Sequence, residues 1–234
     1  MHKHELIVAI RASLRDAGDP ERARSVQAYM KSDMPSLGVP VPEVRRMVKA
    51  AAKASPFTSG AELRDTVLRL WRHAGVREER YAAIDLTAAR LVAAELEMVP
   101  VYEEFIRSGA WWDLVDGVSP RIRELLLAHP DVMAELMLHW AADGDMWVRR
   151  AAITSQVGAK DRTNRTLLAA VILPNLGDSE FFIRKAIGWA LREYGKSDPD
   201  WVAGFVAEHK ERLSALSYRE AVRRLPPSGG SDAK

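Results

Sequence analysis

A short block recurs along this chain at a regular interval. It reads ERYAAI at residues 79–84, VRRAAI at 148–153, IRKAIG at 183–188 and, more weakly, YREAVR at 218–223. The anchor positions near 81, 150, 185 and 220 are 69, 35 and 35 residues apart, so one copy is missing from its expected place near residue 115. A repeat of about 35–40 residues built from paired helices is typical of an α-solenoid. The interval therefore predicts an all-α fold in which each helix pair stacks on the next.

The local pattern agrees with helices throughout. Apolar residues recur at the i, i+3, i+4 spacing of a helix face, and alternating β-branched runs are scarce. Prolines mark the predicted helix starts, at residues 19–20, 41–42, 119–120, 130–131 and 198–199. Equivalent helices of a solenoid line one concave surface, so residues about 75 positions apart can share a groove. We expect residues 1–225 to form a single repeat domain and the Pro/Gly/Ser-rich residues 226–234 to be a disordered tail.

Composition excludes several classes of protein. The 234 residues contain no cysteine, which rules out disulfides, thiolate metal sites and cysteine nucleophiles. The six histidines show no metal-ligand spacing, and glycine-rich phosphate loops are absent, so we expect no metal and no cofactor. No apolar run approaches the roughly 18 residues that span a bilayer. We expect a cytoplasmic, monomeric protein without a membrane segment.

Charge is divided unevenly along the chain. Residues 97–145 contain 3 basic and 10 acidic residues, a net charge of −7, whereas residues 146–196 contain 9 basic and 4 acidic residues, a net charge of +5. A basic segment attracts polyanions such as nucleic acid. Ordinary solvated helix faces explain the same counts equally well.

The segment WWDLVD at residues 111–116 carries the clearest candidate chemistry. Trp112 and Asp116 stand one helical turn apart and project from the same face. An indole face and a carboxylate suit a cationic guest or a transition state that becomes cationic. The alternative is structural, because most tryptophans lie in cores and most helical aspartates are solvated or pair with arginine.

A second candidate group follows in the basic segment. Phe182, Lys185, Trp189 and Arg192 fall at i, i+3, i+7 and i+10, which is one helical stripe. Two aromatic rings and two cations suit contact with phosphate and packing against sugar or base. Arg150 belongs to the preceding repeat, and arginine binds phosphate through a planar fork, although a surface ion pair with Asp143 or Asp145 is an equal alternative for the pair at 149–150.

These residues resemble the HEAT-like repeat DNA alkylation repair glycosylases, the AlkD-like enzymes. The resemblance covers most of the chain. It rests on AYMK at residues 28–31, LG at 37–38, WWDLVD at 111–116, HP at 129–130, WVRRAA at 147–152 and FFIRKAIGWALREY at 181–194.

The resemblance implies a right-handed α-solenoid of HEAT-like helix pairs that holds duplex DNA in its concave face. It also implies hydrolysis of the N-glycosidic bond of cationic alkylpurines, such as 3-methyladenine and 7-methylguanine, without flipping the base into a pocket. Asp116 matches the catalytic aspartate of the family, and Trp112 and Trp189 match its two flanking tryptophans. Arg150 matches a phosphate-contacting arginine, and Tyr29 matches an aromatic residue on the DNA-facing surface.

We therefore expect a DNA repair enzyme that acts on alkylated DNA in base excision repair. In this mechanism Asp116 and the two indoles stabilise an oxocarbenium-like transition state on the deoxyribose. The main alternative is a non-catalytic repeat scaffold that binds DNA or protein. A scaffold would bury Trp112 and Trp189, and it would tolerate the loss of the Asp116 carboxylate.

Overall fold

The computed structural model describes residues 3–225, and every regular element in that range is a helix. Four short 3-10 turns connect some of the longer helices. The α-helices are α1 (His4–Asp16), α2 (Pro20–Met30), α3 (Val41–Ala54), α4 (Gly60–Arg72), α5 (Arg77–Leu86), α6 (Val99–Gly109), α7 (Trp112–Ala128), α8 (Pro130–Ala141), α9 (Met146–Thr154), α10 (Arg165–Ile172), α11 (Phe181–Tyr194), α12 (Pro199–Glu208) and α13 (Ala215–Val222). The all-α prediction is confirmed for these residues, and the predicted tail at 226–234 lies outside them.

The repeated sequence blocks mark alternate helices. The anchors near 81, 150, 185 and 220 lie on α5, α9, α11 and α13, and the missing copy near 115 falls on α7. In the later part of the chain α9 packs on α11 and α11 packs on α13, while α3 packs on α5 in the earlier part. The paired alanines of the blocks are buried, as at Ala82, Ala83, Ala151 and Ala152. Small side chains therefore let neighbouring helices approach closely.

Four of the five predicted helix starts are correct. Asp19 caps α2 by accepting hydrogen bonds from the backbone N–H groups of Glu21 and Arg22, and Asp198 caps α12 by accepting one from the backbone of residue 201. The fifth prediction was wrong, because Pro120 lies inside α7 and does not begin a helix. Buried residues continue along that helix from residue 114 to residue 126, so packing of this face outweighs the hydrogen bond that proline cannot donate.

The chain divides into two compact units, the first ending at Arg121 and the second beginning at Ile122. In the first unit Trp71 stacks on Phe105, with ring centroids 4.2 Å apart, and both rings are fully buried. In the second unit Trp140 is fully buried, and the Asn175 side-chain amide donates to the carbonyl oxygens of residues 141 and 171. Each unit therefore has a hydrophobic core of its own.

Three consecutive charged residues are buried at the start of α5. Arg77, Glu78 and Glu79 are 1%, 1% and 5% exposed. The Glu78 carboxylate accepts hydrogen bonds from the Ser36 hydroxyl and from the backbone N–H groups of residues 37, 38 and 39. It therefore fixes the connection between α2 and α3.

Gly38 makes this connection sterically possible. It has a φ of 79°, and a Cβ added there would lie 2.4 Å from the carbonyl oxygen of Asp19. Only glycine fits so close to the start of α2 without strain.

Candidate functional site

Trp112 and Asp116 lie where the helical spacing predicts. Trp112 is the first residue of α7, and Asp116 follows one turn later on the same helix. Both side chains are partly exposed, and both line one open cleft of about 380 Å³ in the first unit. The walls of this cleft, which we call the Trp112 cleft, are formed by Met30, Val41, Arg45, Tyr81, Ile84, Asp85, Trp112, Asp113, Asp116 and Gly117.

Tyr29 extends the aromatic wall beside the cleft. It is 74% exposed and lies at the end of α2, next to the lining residue Met30. Its ring meets the Trp112 ring edge-on, with centroids 6.3 Å apart and an interplanar angle of 84°. The first unit therefore brings together Tyr29, Trp112 and Asp116, three residues that the sequence analysis selected.

Asp113, which belongs to the same motif as Asp116, is bound by two side chains of α5. Both Asp113 carboxylate oxygens lie 2.8 Å from Arg77 Nη1, and the Tyr81 hydroxyl donates a short hydrogen bond to Oδ2. The side chains of Arg77 and Asp113 are 2% and 9% exposed. Burial, and then the negative charge of Asp113, raise the pKa of Tyr81, so its hydroxyl remains protonated at neutral pH.

Arg77 joins the two segments that carry the aromatic pair. Its Nη2 donates to the Ser32 hydroxyl just beyond α2, and its Nη1 binds Asp113 in the first turn of α7. Its backbone N–H donates to the carbonyl oxygen of Pro35, 2.8 Å away. Because α2 carries Tyr29 and α7 carries Trp112, this buried guanidinium holds both rings relative to α5.

A second ion pair lies in another part of the wall of the Trp112 cleft. Arg45 Nε lies 3.2 Å from Asp85 Oδ1, and the Arg45 side chain is 65% exposed. Burial raises the pKa of Asp85, and the charge of Arg45 opposes that shift. The same two residues also line a neighbouring apolar cleft of about 340 Å³ between α3 and the end of α5.

Arg150 occupies a more enclosed position than the sequence analysis expected. It is 5% exposed, and its Nη1 donates to the backbone carbonyl oxygen of Phe182, 2.6 Å away. Its guanidinium also lies 5.9 Å from the centroid of the partly exposed Phe182 ring, and that ring packs against Trp147. In this structure Arg150 therefore anchors the start of α11 to α9.

Lys185 and Arg192 share a single carboxylate partner. Lys185 Nζ lies 2.9 Å from Glu220 Oε1, and Arg192 Nη1 forms a very short contact with Glu220 Oε2. Trp189 is partly exposed and lies between the two cations on the same face of α11. The second unit thus keeps the predicted stripe together and adds Glu220, which the sequence analysis did not select.

Sequence reasoning missed the polar residues that surround Trp112 and Asp116. Arg77, Tyr81 and Asp85 belong to α5, and its repeat block predicts only helix packing. Their partners lie more than 30 residues away in the sequence, as for the pairs Arg77–Asp113 and Arg45–Asp85. The available signal was a run of four charged residues at 77–80, separated by one tyrosine from the alanine pair of the repeat block.

Two other kinds of feature are absent from the described part of the chain. Within residues 3–225, no group of three or more histidine, aspartate or glutamate side chains is arranged to hold a metal ion. None of the helices described there combines the length and apolar character that crossing a membrane requires.

These features define an all-helical repeat protein with an aromatic, acidic cleft in its first unit. A family model described as DNA alkylation repair enzyme matches residues 10–225, so the chain belongs to the DNA alkylation repair enzyme family.

Several solved structures are similar to this chain. A predicted DNA alkylation repair enzyme from Enterococcus faecalis is 31% identical, with a TM-score of 0.80, and the match covers 90% of this chain and 98% of that one. The alkylpurine DNA glycosylase AlkC of Pseudomonas fluorescens, bound to DNA containing an abasic site analog, is 16% identical with a TM-score of 0.44. That match covers 94% of this chain and 60% of the other. No match was found among curated proteins.

Proposed function

We propose that this protein is a DNA glycosylase that hydrolyses the N-glycosidic bond of cationic alkylpurines, such as 3-methyladenine and 7-methylguanine, in duplex DNA. The observation that carries the proposal is the Trp112 cleft, where an indole and a carboxylate one helical turn apart face the same open space. Membership of the DNA alkylation repair enzyme family supports it. We expect a monomer that acts in the cytoplasm on DNA and needs neither metal nor cofactor.

The cleft suits a positively charged guest. The Trp112 ring face attracts cations, and Tyr29 enlarges the aromatic surface at its edge. Asp113 forms a buried ion pair with Arg77 and accepts a hydrogen bond from the Tyr81 hydroxyl, so we assign it a structural role. We assign catalysis to Asp116, which lines the open cleft one helical turn from Trp112.

The reaction requires little acid catalysis. An alkylated purine already carries a positive charge, and breaking its bond to C1′ sends the bonding electron pair to the base, which leaves neutral. The positive charge moves to the deoxyribose as an oxocarbenium ion, which Asp116 and the indole of Trp112 stabilise. Water then adds to C1′ and loses a proton, so the products are the free base, an abasic site and one proton.

We assign the phosphate and sugar contacts to residues of the second unit. Trp189 would supply the second indole, while Lys185, Arg192 and Phe182 would follow the DNA backbone. Arg150 would contribute by orienting Phe182, because its own guanidinium is already bonded inside the protein. Following the family resemblance, we propose that the base is cleaved without being drawn into a pocket.

The test is the release of 7-methylguanine from methylated duplex DNA under single-turnover conditions. We expect Asp116→Asn to slow release by about 10²–10³-fold, the loss typical of a removed electrostatic stabiliser. Asp131→Asn is the matched control, because it makes the same chemical change at an exposed position on α8. Release by Asp116→Asn at the wild-type rate would remove the aspartate from the mechanism, and no release by the wild type would end the glycosylase assignment.

The competing proposal is a non-catalytic scaffold. That proposal expects Trp112 and Trp189 to be buried, whereas both side chains are partly exposed, and their exposure favours the enzyme. A scaffold would still bind duplex DNA or a protein after Asp116→Asn, so binding by this variant does not separate the two proposals. Release of a methylated base does separate them, because a scaffold releases none.

A further inference from the structure

Glu220 stands out because one carboxylate serves two cations that we assign to DNA binding. Oε1 binds Lys185 and Oε2 binds Arg192, so each oxygen holds one cation. The two cations lie seven residues apart on α11, with Trp189 between them. This arrangement, which we call the Glu220 bridge, lies beside the proposed second indole.

The position of the Glu220 backbone does not depend on its charge. α11 and α13 pack so closely that a Cβ added to Gly188 would lie 2.5 Å from the Glu220 Cβ. The Ser217 hydroxyl also donates to the carbonyl oxygen of Arg184, 2.9 Å away. The packing of α11 on α13 therefore places the Glu220 carboxylate beside the two cations. We expect this packing to remain when the charge of Glu220 is removed.

The bridge leaves a net positive charge that solvent can reach. The side chains of Lys185 and Arg192 are 39% and 19% exposed. The hydrogen bond from Lys185, together with the charges of Lys185, Arg192 and Arg223, lowers the pKa of Glu220, although burial acts against the shift. Glu220 is therefore ionised at neutral pH, and its single negative charge is bound to two cations, Lys185 and Arg192.

We propose that Glu220 occupies the place that a DNA phosphate takes on Lys185 and Arg192, and that this internal competitor limits the affinity for duplex DNA. The inference rests on the proposed function, since it assumes that α11 faces the DNA backbone. Two carboxylate oxygens that bind two cations imitate the two non-bridging oxygens of a phosphodiester. Duplex DNA must displace the carboxylate oxygens of Glu220 from Lys185 and Arg192. The free energy lost by breaking these two ion pairs offsets part of the attraction between the cations and the DNA phosphates.

The experiment measures the affinity for an undamaged duplex across a series of salt concentrations. Glu220→Gln keeps the shape of the side chain and releases both cations. We expect it to bind at least about fivefold more tightly than wild type, with a salt dependence steeper by about one to two units, because each new phosphate contact adds about 0.9. Adding Lys185→Gln and Arg192→Gln to this variant should abolish the gain.

Glu193→Gln is the matched control. It makes the same charge change on the same helix and releases Lys196, a cation beyond the end of α11 to which we assign no role in DNA binding. An equal gain in both variants would overturn the proposal, because it would reflect net charge alone. Unchanged or weaker binding by a folded Glu220→Gln would also overturn it and would leave the bridge a purely structural ion pair.

A second variant keeps the test decisive if Glu220→Gln does not fold. Glu220→Asp keeps the charge on a shorter side chain that cannot reach both cations, and we expect an intermediate gain in affinity. No gain in a folded Glu220→Asp would then refute the inference. If the glycosylase proposal were wrong, the release assay would show it separately: wild type would release no 7-methylguanine, whatever its affinity for the undamaged duplex.

Discussion

Ala110 carries an unusual backbone conformation two residues before Trp112. It ends α6 with φ 42° and ψ 38°, in the left-handed region that glycine normally occupies at helix ends. The chain needs this turn because α7 starts only two residues later. The local strain is therefore located directly before the residues that line the Trp112 cleft.

Replacing Ala110 with glycine should stabilise the protein. Removing the Cβ relieves the left-handed strain, so we expect the free energy of unfolding to rise by about 0.5–1 kcal/mol after the added flexibility of glycine is subtracted. Urea denaturation measures the change. The control is Ala142→Gly, at the end of α8, where φ is −108° and no strain exists to relieve. That variant should lose about 0.5–1 kcal/mol, and a similar loss in Ala110→Gly would contradict the argument.

Arg77 and Arg72 each form an ion pair between two helices, and burial decides how much each pair contributes to the free energy of unfolding. Arg77 on α5 binds Asp113 on α7 with both side chains buried, whereas Arg72 on α4 binds Glu104 on α6 with its side chain 57% exposed. Losing Arg77 would leave the Asp113 carboxylate buried without its cation, which water cannot replace. Losing Arg72 would leave Glu104 open to solvent.

We expect Arg77→Ala to lower the free energy of unfolding by about 3–5 kcal/mol, the usual cost of breaking a buried ion pair. Arg72→Ala should cost less than about 1 kcal/mol. Denaturant titration of both variants provides the comparison. The double variant Arg77→Ala, Asp113→Ala should lose less free energy of unfolding than the two single variants lose in sum, because the first substitution already breaks the ion pair. Additive losses would mean that the two residues act independently.

Helix periodicity in the sequence predicted the all-α class, the repeat interval predicted the alternate helices, and the prolines predicted most helix starts. The prediction of a helix start at Pro120 was wrong because a local signal cannot show that the residues on both sides of it bury one continuous face. Trp112 and Asp116 were found because their relation is local, one turn of one helix. Glu220 and Arg77 were not found as partners, because their contacts join residues 28 to 45 positions apart and depend on how helices pack.

The fold also changes how much of the positive charge counted along the chain is available to bind DNA. The basic excess of residues 146–196 suggested a polyanion-binding surface, but several of those cations have partners inside the second unit. Arg165 pairs with Asp198, and Lys185 and Arg192 share Glu220; both acidic partners lie beyond the basic segment. Net charge by segment therefore overstates the positive charge available to a DNA backbone.

The raised pKa of Tyr81 predicts how the protein responds to alkaline solution. The folded state holds this phenolic proton more tightly than the unfolded chain, whose tyrosines titrate near 10.0. The stabilisation is complete below that pH and is lost as the pH rises beyond it, by about 1.4 kcal/mol for each unit. Tyr81→Phe should be less stable than wild type at pH 7, since Asp113 loses a hydrogen bond, yet it should lose less stability between about pH 10 and 11. Parallel pH profiles for the two proteins would disprove the assignment.

The buried charges of residues 77–79 have a consequence for how the chain assembles. Each finds its partner in a different segment: Arg77 at Asp113, Glu78 at the loop of residues 36–39, and Glu79 at Arg11. If α5 docked one turn out of register, at least one of these charges would be buried without its partner, which would cost several kcal/mol. These three buried charges therefore favour the native docking of α5, because they raise the free energy of incorrectly docked arrangements that hydrophobic packing alone would tolerate.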